Sequence, residues 1–580
     1  MAEKVVIDPL TRIEGHLRIE METEGEQIKK AWSVSTQFRG IETIVQNRDP
    51  RDVWAFVQRI CGVCTSVHAI ASITAVEDAI GSNPPENARL IRSLVLGSQE
   101  IQDHVIHFYH LHALDFVNVP NAAKADPAKA LEFAHSIGSK WRGNNLKRFT
   151  EVRDTVKKIL DSGQLSVFTG GYWDHPDYRL PPEADLMCVA HYLDALEFQR
   201  SMIRINTVFG GKNPHPNFLV GGMACSIDPK SSESINQVQM DQVKTWVEEI
   251  NEFVKDCYYP DILALGGVYK DYFDIGATHP NYLAVGLAGS MFAGDPNKSR
   301  LSSPHTAIKP GVIFEDDLTK VHPFDPNKIE EFITSAWYQY SVGDKKGLTP
   351  DKGETTVNYT GPKPPFKWLG DRDKYTWSKA PRYEGKPMQV GPVARMLLAY
   401  AQGYAPVKKL LDGAIATLGI TPKQINSTMG RTFARAAEAV VSADLMREDY
   451  NALVNNIKKG DIEVFDASKW DPSSWPTQAQ GYAFIEVARG DLSHWVSIKD
   501  GKVERYQAVV PTTWLAGGRD AQGVTGPYEE SLMGTGTHPL VDPKAPLEPM
   551  RTIHSYDPCM SCGVHILDPD GNLLGEAVTS

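Results

Sequence analysis

Four of the seven cysteines in this 580-residue chain fall into two C-x-x-C pairs, Cys61-Gly62-Val63-Cys64 and Cys559-Met560-Ser561-Cys562. Two residues of tight turn let such a pair aim two sulfurs at one ion, and two pairs supply four thiolates, the usual number for a closed soft-metal centre. A zinc ribbon places its second pair about 15 to 20 residues after the first. Here most of the chain lies between them, and closing so long a loop costs about 3 kcal/mol more than closing a ribbon. Haem attachment needs C-x-x-C-H, but Thr65 and Gly563 stand where the histidine belongs. A thioredoxin-type pair needs one C-x-x-C in a strand–helix setting. Residue chemistry alone therefore gives a four-thiolate site for zinc, nickel or iron, built where both ends of the chain meet the core.

Composition narrows the setting. With 42% hydrophobic and 23% charged residues the chain can bury a large core, and a net charge of −12 gives no reason to expect nucleic acid. No apolar run reaches the roughly 18 residues of a membrane span, and Met1-Ala-Glu-Lys4 lacks the charged-then-apolar head of a secretory signal. Cys188, Cys225 and Cys257 have no C-x-x-C partner and read as packing residues, so reduced, metal-binding thiols fit better than a disulfide framework.

The elements that must position the pairs are mainly helical. Strands are expected at Val5–Ile7, His16–Glu20 and Ala31–Val34, with a charged loop from Asp8 to His16 that reads by itself as a solvated turn. Asp49-Pro50 opens a helix up to Cys61, and Thr65 or Ser66 caps a second one to Gly81. The first pair then lies at a helix–helix junction, where amide ends favour thiolate over thiol. A long helix from Glu86 to about Val117 carries His104, His107, His110 and His112, read as hydrogen-bonded histidines near a polar centre rather than as metal ligands. Further helices are expected at 184–208, ending on Gly210-Gly211, and at 234–257, 393–411 and 427–459. Residues 342–392 read as extended surface segments, and 481–495 and 502–510 as strands around Asp500-Gly501. The fold class is α+β, mainly α: a large helical core with small β-sheets at the periphery.

The complete motifs say more. Arg59-Ile-Cys61-Gly-Val-Cys64-Thr-x-x-His68 and Asp557-Pro-Cys559-x-x-Cys562-x-x-His565 resemble the two signatures of nickel–iron hydrogenase large subunits. So do Arg12-Ile-Glu14-Gly-His16, Phe38-Arg-Gly-Ile-Glu42, Ala488-Arg489-Gly with His494-Trp495, and Val509-Val-Pro-Thr512-Thr-Trp514, and His554-Ser-Tyr-Asp-Pro-Cys looks like the membrane-associated uptake class. The resemblance implies one intertwined domain, 1–565, followed by an extension, 566–580, that a dedicated endopeptidase removes after nickel insertion. It implies that Cys61, Cys64, Cys559 and Cys562 hold nickel, with Cys64 and Cys562 bridging to an iron that carries CO and cyanide. The reaction implied is heterolytic cleavage of H2 to protons and electrons. Cys559 is the thiolate that takes the proton and Glu14 receives it, which replaces the solvated-turn reading of its loop.

The same likeness places Arg489 beside the metals with Asp103 and Asp557 as its carboxylate partners. Thr512 donates to a cyanide, His68 supports a cysteine sulfur, and Val63 and Leu111 narrow the gas passage. Glu42, the Ala508 carbonyl and His565 are implied as a magnesium site. Many relatives have Ala-Pro before the arginine where this chain has Val487-Ala488. The three scattered cysteines cannot hold iron–sulfur clusters, so an iron–sulfur small subunit is implied as partner, with nickel-insertion factors and a membrane electron-acceptor subunit. Export with that partner puts the complex on the periplasmic side of the membrane; a cytoplasmic location is the alternative. The rival readings are a structural four-cysteine zinc protein and a relative such as the quinone-site subunit of complex I, which lacks the paired cysteines.

Overall fold

A computed structural model describes residues 3–165, 168–293, 308–534 and 538–560. The N-terminal segment alternates apolar and polar residues, and it forms a three-stranded antiparallel sheet of β1 (Glu3–Ile7), β2 (Leu17–Glu24) and β3 (Gln27–Ser35). Val5 faces Met21 and Ile7 faces Ile19 across β1 and β2, so one face is sealed against the core and residues 8–16 are left as a loop. Gly25, at φ +60°, makes the turn into β3.

The expected helix from Asp49 is shorter than its pattern. Asp49 instead accepts from the Arg51 amide at 2.9 Å, and helix runs only from Val53 to Val57 before a tighter turn, Gln58–Ile60, that ends at Cys61. The next helix, α1 (Val67–Ile80), starts three residues after Cys64 and stops on Gly81 in the left-handed conformation. The long helix α2 (Glu86–Ile106) does not reach Val117: it widens into a π-turn over His107–His112 and tightens over Ala113–Asp115. The wide turn lets residues five apart face each other, and the His107 and His112 rings stack at 5.3 Å. α3 (Pro182–Gly210) ends at Gly211, φ +78°, and α4 (Gln237–Phe253) begins at a capping box on Asn236.

Two helices replace the expected 393–411, α5 (Pro392–Ala401) and α6 (Ala405–Leu418), because Gly403 at φ +75° breaks the run. α7 (Thr428–Lys458) is buried on all sides over its first half, so it forms the axis on which α2, α4 and α5 pack. Residues 342–392 are less superficial than expected. Thr376, Ser378, Lys379 and Arg382 are buried, and Trp377 stacks on Phe38 at 5.1 Å, because the aromatic side chains of this stretch form their own small cores.

The C-terminal strands are three rather than two. β4 (Gln478–Val487), β5 (Gly490–Lys499) and β6 (Lys502–Val509) form an antiparallel sheet that the short strand Met291–Ala293 extends. The break comes at Ala488-Arg489, a two-residue hairpin loop closed by the pair Val487–Gly490. α1 lies so close to β4 that a Cβ on Gly481 would stand 2.3 Å from the Ala75 carbonyl oxygen. α8 (Pro511–Ala516) and α9 (Leu547–His554) complete the descent to Cys559, and Glu14 and Cys559 join in a parallel β-bridge. The two chain ends thus meet in the core.

Candidate metal centre

Cys61 ends one helical segment, Cys64 precedes the next, and Cys559 follows α9 from the far end of the chain; all three are buried. Their sulfurs converge, with Cys61 Sγ 3.4 Å and Cys64 Sγ 4.0 Å from Cys559 Sγ. A disulfide needs about 2.05 Å. Tetrahedral coordination with metal–sulfur bonds of about 2.3 Å sets sulfur–sulfur edges near 3.8 Å, and the two observed spacings bracket that value. The amides of Val63 and Cys64 both donate to Cys61 Sγ at 3.3 Å, which favours the thiolate. Cys562 and His565 lie outside the described residues.

Around the sulfurs stand an acid, a cation and its counter-charges. Glu14 is half-buried and brings Oε2 to 3.3 Å from Cys559 Sγ. The Glu14 main chain is fixed there by its own amide to the Pro558 carbonyl (3.3 Å) and by the Met560 amide to its carbonyl (2.8 Å). Arg489, at the apex of the β4–β5 hairpin, is buried. It donates Nε to the Asp557 carbonyl and Nη2 to Asp557 Oδ1, both at 2.9 Å, and Nη1 to Asp103 Oδ2 at 3.3 Å. Burial opposes the guanidinium charge, but Asp557, Cys559, Asp103 and Cys64 outweigh it and hold the group charged. Burial also pushes Asp103 up to about 8, against the pull of Arg489. Gln99 Nε2 ties Asp103 Oδ1 (2.7 Å) to the Val63 carbonyl (2.8 Å), so the arginine is braced against the first cysteine loop.

The remaining expected residues sit in a ring behind this. Thr512 Oγ1 accepts from the Cys559 amide at 3.2 Å. His68 Nδ1 stands 3.0 Å from His494 Nε2, and burial lowers His68 to about 4, so it is neutral at pH 7. Glu42 Oε1 accepts from the Ala508 amide at 3.0 Å, and both residues line a cavity of about 40 Å³ with Lys379 and Glu331. That cavity exceeds the roughly 15 Å³ one water occupies. Val63 is 37% exposed at the chain surface, and Leu111 is half-buried in the π-turn.

Sequence reading missed the stripe on α7 that holds two sides of the centre together. Arg431, Arg435 and Glu438, spaced i, i+4, i+7, face inward. Arg431 donates to Ser555 Oγ at 2.7 Å and lies 3.9 Å over the Tyr556 ring. Arg435 donates to the Ala488 carbonyl at 3.0 Å and to the Ser555 carbonyl at 3.4 Å. Glu438 accepts both Nε and Nη2 of Arg395 at 2.5 Å, while Arg395 Nη1 reaches Glu486 and the Val487 carbonyl at 2.8 Å. The only signal was the helical spacing of two arginines and a glutamate in an alanine-rich stretch, and charges of this kind usually mark a solvated face because they are buried only when paired.

A family model described as nickel-dependent hydrogenase matches residues 39–565. The chain belongs to that family. Among curated relatives, the uptake hydrogenase large subunit of Bradyrhizobium diazoefficiens is 44% identical, with 99% of this chain and 97% of that protein covered. The hydrogenase-1 large chain of Escherichia coli K12 is 42% identical over 98% of this chain and 96% of its own. The Ni-Fe-Se hydrogenase of Desulfomicrobium baculatum in its reduced, active form superposes with a TM-score of 0.73 at 32% identity, covering 97% of this chain and all of that one. This hydrogenase large subunit is therefore an oxidoreductase acting on H2, and as a large subunit it has a small-subunit partner. The mainly helical fold with peripheral sheets is that of its structural relatives.

Proposed function

We propose that the centre holds nickel and iron on Cys61, Cys64, Cys559 and Cys562, with CO and cyanide on the iron, and works in H2 uptake. The observation that carries the reading is the placement of three buried cysteine sulfurs within 4.8 Å of one another beside both an acid and a fixed cation. Soft thiolates suit metals that exchange electron density with H2, and the bound metals supply the site at which H–H bond polarisation takes place.

The chain's own residues do the rest. Cys559 Sγ takes the proton, and Glu14 Oε2, 3.3 Å away, receives it and passes it outward along the 8–16 loop. Arg489 presents a charge that cannot be lost to a proton transfer, held by Asp103 and Asp557 so that it needs no reorganisation during turnover. Thr512 fixes the Cys559 amide and would donate its hydroxyl hydrogen to a cyanide. Glu42 and the Ala508 carbonyl, with His565, would hold magnesium, for which oxygen ligands are suited.

Electrons leave to iron–sulfur clusters on the small subunit, and the pair works as a heterodimer on the periplasmic side of a membrane with an electron-acceptor subunit. Residues 566–580 are removed by an endopeptidase once nickel-insertion factors have loaded the site. Metal analysis and infrared spectroscopy of the purified complex test this together. Nickel with iron, and bands of metal-bound CO and cyanide, are expected, and Cys559→Ser abolishes them along with H2 turnover. Zinc alone would refute the assignment and leave a structural four-cysteine site.

A further inference from the structure

The histidine run on the π-turn is not used by the chemistry above, yet it is tied directly to the loop that carries Glu14. The hub is Asp115, fully buried at the end of that turn. Its Oδ1 accepts from Arg12 Nη2 at 2.5 Å, and its Oδ2 accepts from His554 Nδ1 at 2.7 Å and His112 Nδ1 at 3.2 Å. Two of these partners tie the hub to the 8–16 loop. His554 Nε2 donates to the Thr11 carbonyl at 2.8 Å, and Arg12 Nη1 donates to the Leu111 carbonyl at 2.8 Å. Residue 12 itself sits in the left-handed region, at φ +56°, which a non-glycine residue adopts only where its surroundings hold it.

The backbone around Glu14 is thus fixed from two sides. Downstream, Glu14 exchanges main-chain bonds with Pro558 and Met560. Upstream, two and three residues away, Arg12 and Thr11 are fixed to the Asp115 hub. Thr11 and Gly15 are otherwise exposed, and this loop has a polar sequence that a solvated turn would satisfy equally well. We propose that Asp115, through Arg12 and His554, is a positioning residue for proton transfer: it sets the height of the Glu14 carboxylate over Cys559 Sγ. His112 serves the same hub, with its Nε2 anchored by Thr432 Oγ1 at 3.0 Å. This rests on the reading of Glu14 as the proton acceptor.

The test compares Arg12→Gln, Arg12→Lys and Asp115→Asn with Glu14→Gln, all in the assembled complex of the full chain with its small subunit. The readouts are backbone amide exchange over residues 8–16, H2-oxidation turnover with its solvent deuterium isotope effect, KM for H2, and nickel content. For Arg12→Gln and Asp115→Asn, amide exchange over residues 11–15 rises by about tenfold or more, as expected when a held segment opens locally. Turnover falls by about 10- to 100-fold, the scale of an ångström-sized misplacement. The isotope effect grows, while KM and nickel content stay at parental values. Arg12→Lys, which keeps one of the two bonds, recovers part of the loss. Arg12 has a side chain only 15% exposed but lies at the edge of the hub, so its variants carry the test if Asp115→Asn does not assemble.

Parental exchange and turnover in both Arg12→Gln and Asp115→Asn, with Glu14→Gln inactive, overturns the positioning role and leaves the Glu14 reading standing. Loss of nickel in those variants overturns it too, because the hub would then hold the metal ligands rather than the acid. Parental turnover in Glu14→Gln instead overturns the reading on which the proposal rests.

Discussion

Arg395→Met tests how the centre's frame is held electrostatically. Arg395 is completely buried and is the shared cation of Glu438 (2.5 Å, two bonds), Glu486 (2.8 Å) and Glu100 (3.5 Å). Burial alone would raise Glu438, but the guanidinium outweighs it and holds that carboxyl at about 2. Its neighbours lean the other way: burial pushes Glu486 up to about 7, and burial with the Glu486 charge pushes Asp491 well above the carboxylate range. At neutral pH Glu438 is therefore the carboxylate whose ionised form depends most on the Arg395 charge. Methionine has a similar reach but no charge, so Glu438 is left buried and uncompensated, at a cost of about 3–5 kcal/mol.

The sign of the pH dependence follows. In the parent, the Glu438 contribution is present above its unfolded value of 4.5 and is lost as pH falls through about 2. In the variant the carboxylates ionise only at a cost, so the penalty is largest at pH 8–9 and shrinks toward pH 5, where they can be neutral. Urea unfolding of parent and variant at pH 5, 7 and 9, followed by tryptophan fluorescence, measures it as a midpoint shift with unchanged slope. A penalty below about 1 kcal/mol, or one that does not shrink in acid, would refute the argument. Because Arg395 also holds the Val487 carbonyl next to the Arg489 hairpin, variant protein that folds at pH 5 should still turn over H2 more slowly than the parent.

Three further outcomes are expected. Arg489→Lys keeps the charge but reaches one carboxylate in place of three contacts, and H2 turnover in the loaded complex should fall by about 100-fold; turnover within about twofold of the parent would show the fork geometry to be irrelevant. Gly391→Ala should destabilise by about 1–3 kcal/mol in thermal unfolding, since φ is +100° and the new Cβ would stand 2.8 Å from the Arg489 carbonyl oxygen; an unchanged transition would mean the hairpin yields freely. If the proposed magnesium site is real, elemental analysis should find magnesium in the parent and less in Glu42→Gln with nickel retained, and magnesium absent from the parent or unchanged in the variant would remove Glu42 as a ligand.

The chemistry-bearing residues were legible because their types are rare and their spacing is constrained. The two C-x-x-C pairs carry a local signal by themselves; the Glu-Gly and Arg-Gly dipeptides read locally as a solvated turn and a surface arginine, and only the family resemblance singles them out. The structure brings Cys61, Cys64, Cys559, Glu14, Arg489, Asp103 and Asp557 to one place. Glu14 shows the limit of local reading: its loop satisfies every rule for a solvated turn, and only the β-bridge to Cys559 makes it part of a buried site. Likewise Gly481–Trp495 reads as one strand because alternation continues through it, while the two-residue break at Ala488-Arg489 depends on β4 and β5 folding back on each other.

What the sequence determined by itself was the helical core, the two C-x-x-C pairs and the hydrogenase resemblance, because periodicity and motif spacing are properties of the chain alone. Tertiary structure decided which charges share a partner. Arg431, Arg435 and Glu438 look like an ordinary solvated stripe until the first half of α7 is buried on every side and Arg395 on α5 packs against it. Asp115 becomes a hub only when α9 and the N-terminal loop arrive at the same turn. Burial changes the electrostatic rules: a buried charge must find its counter-charge across the fold, and sequence distance carries no information about where that partner lies.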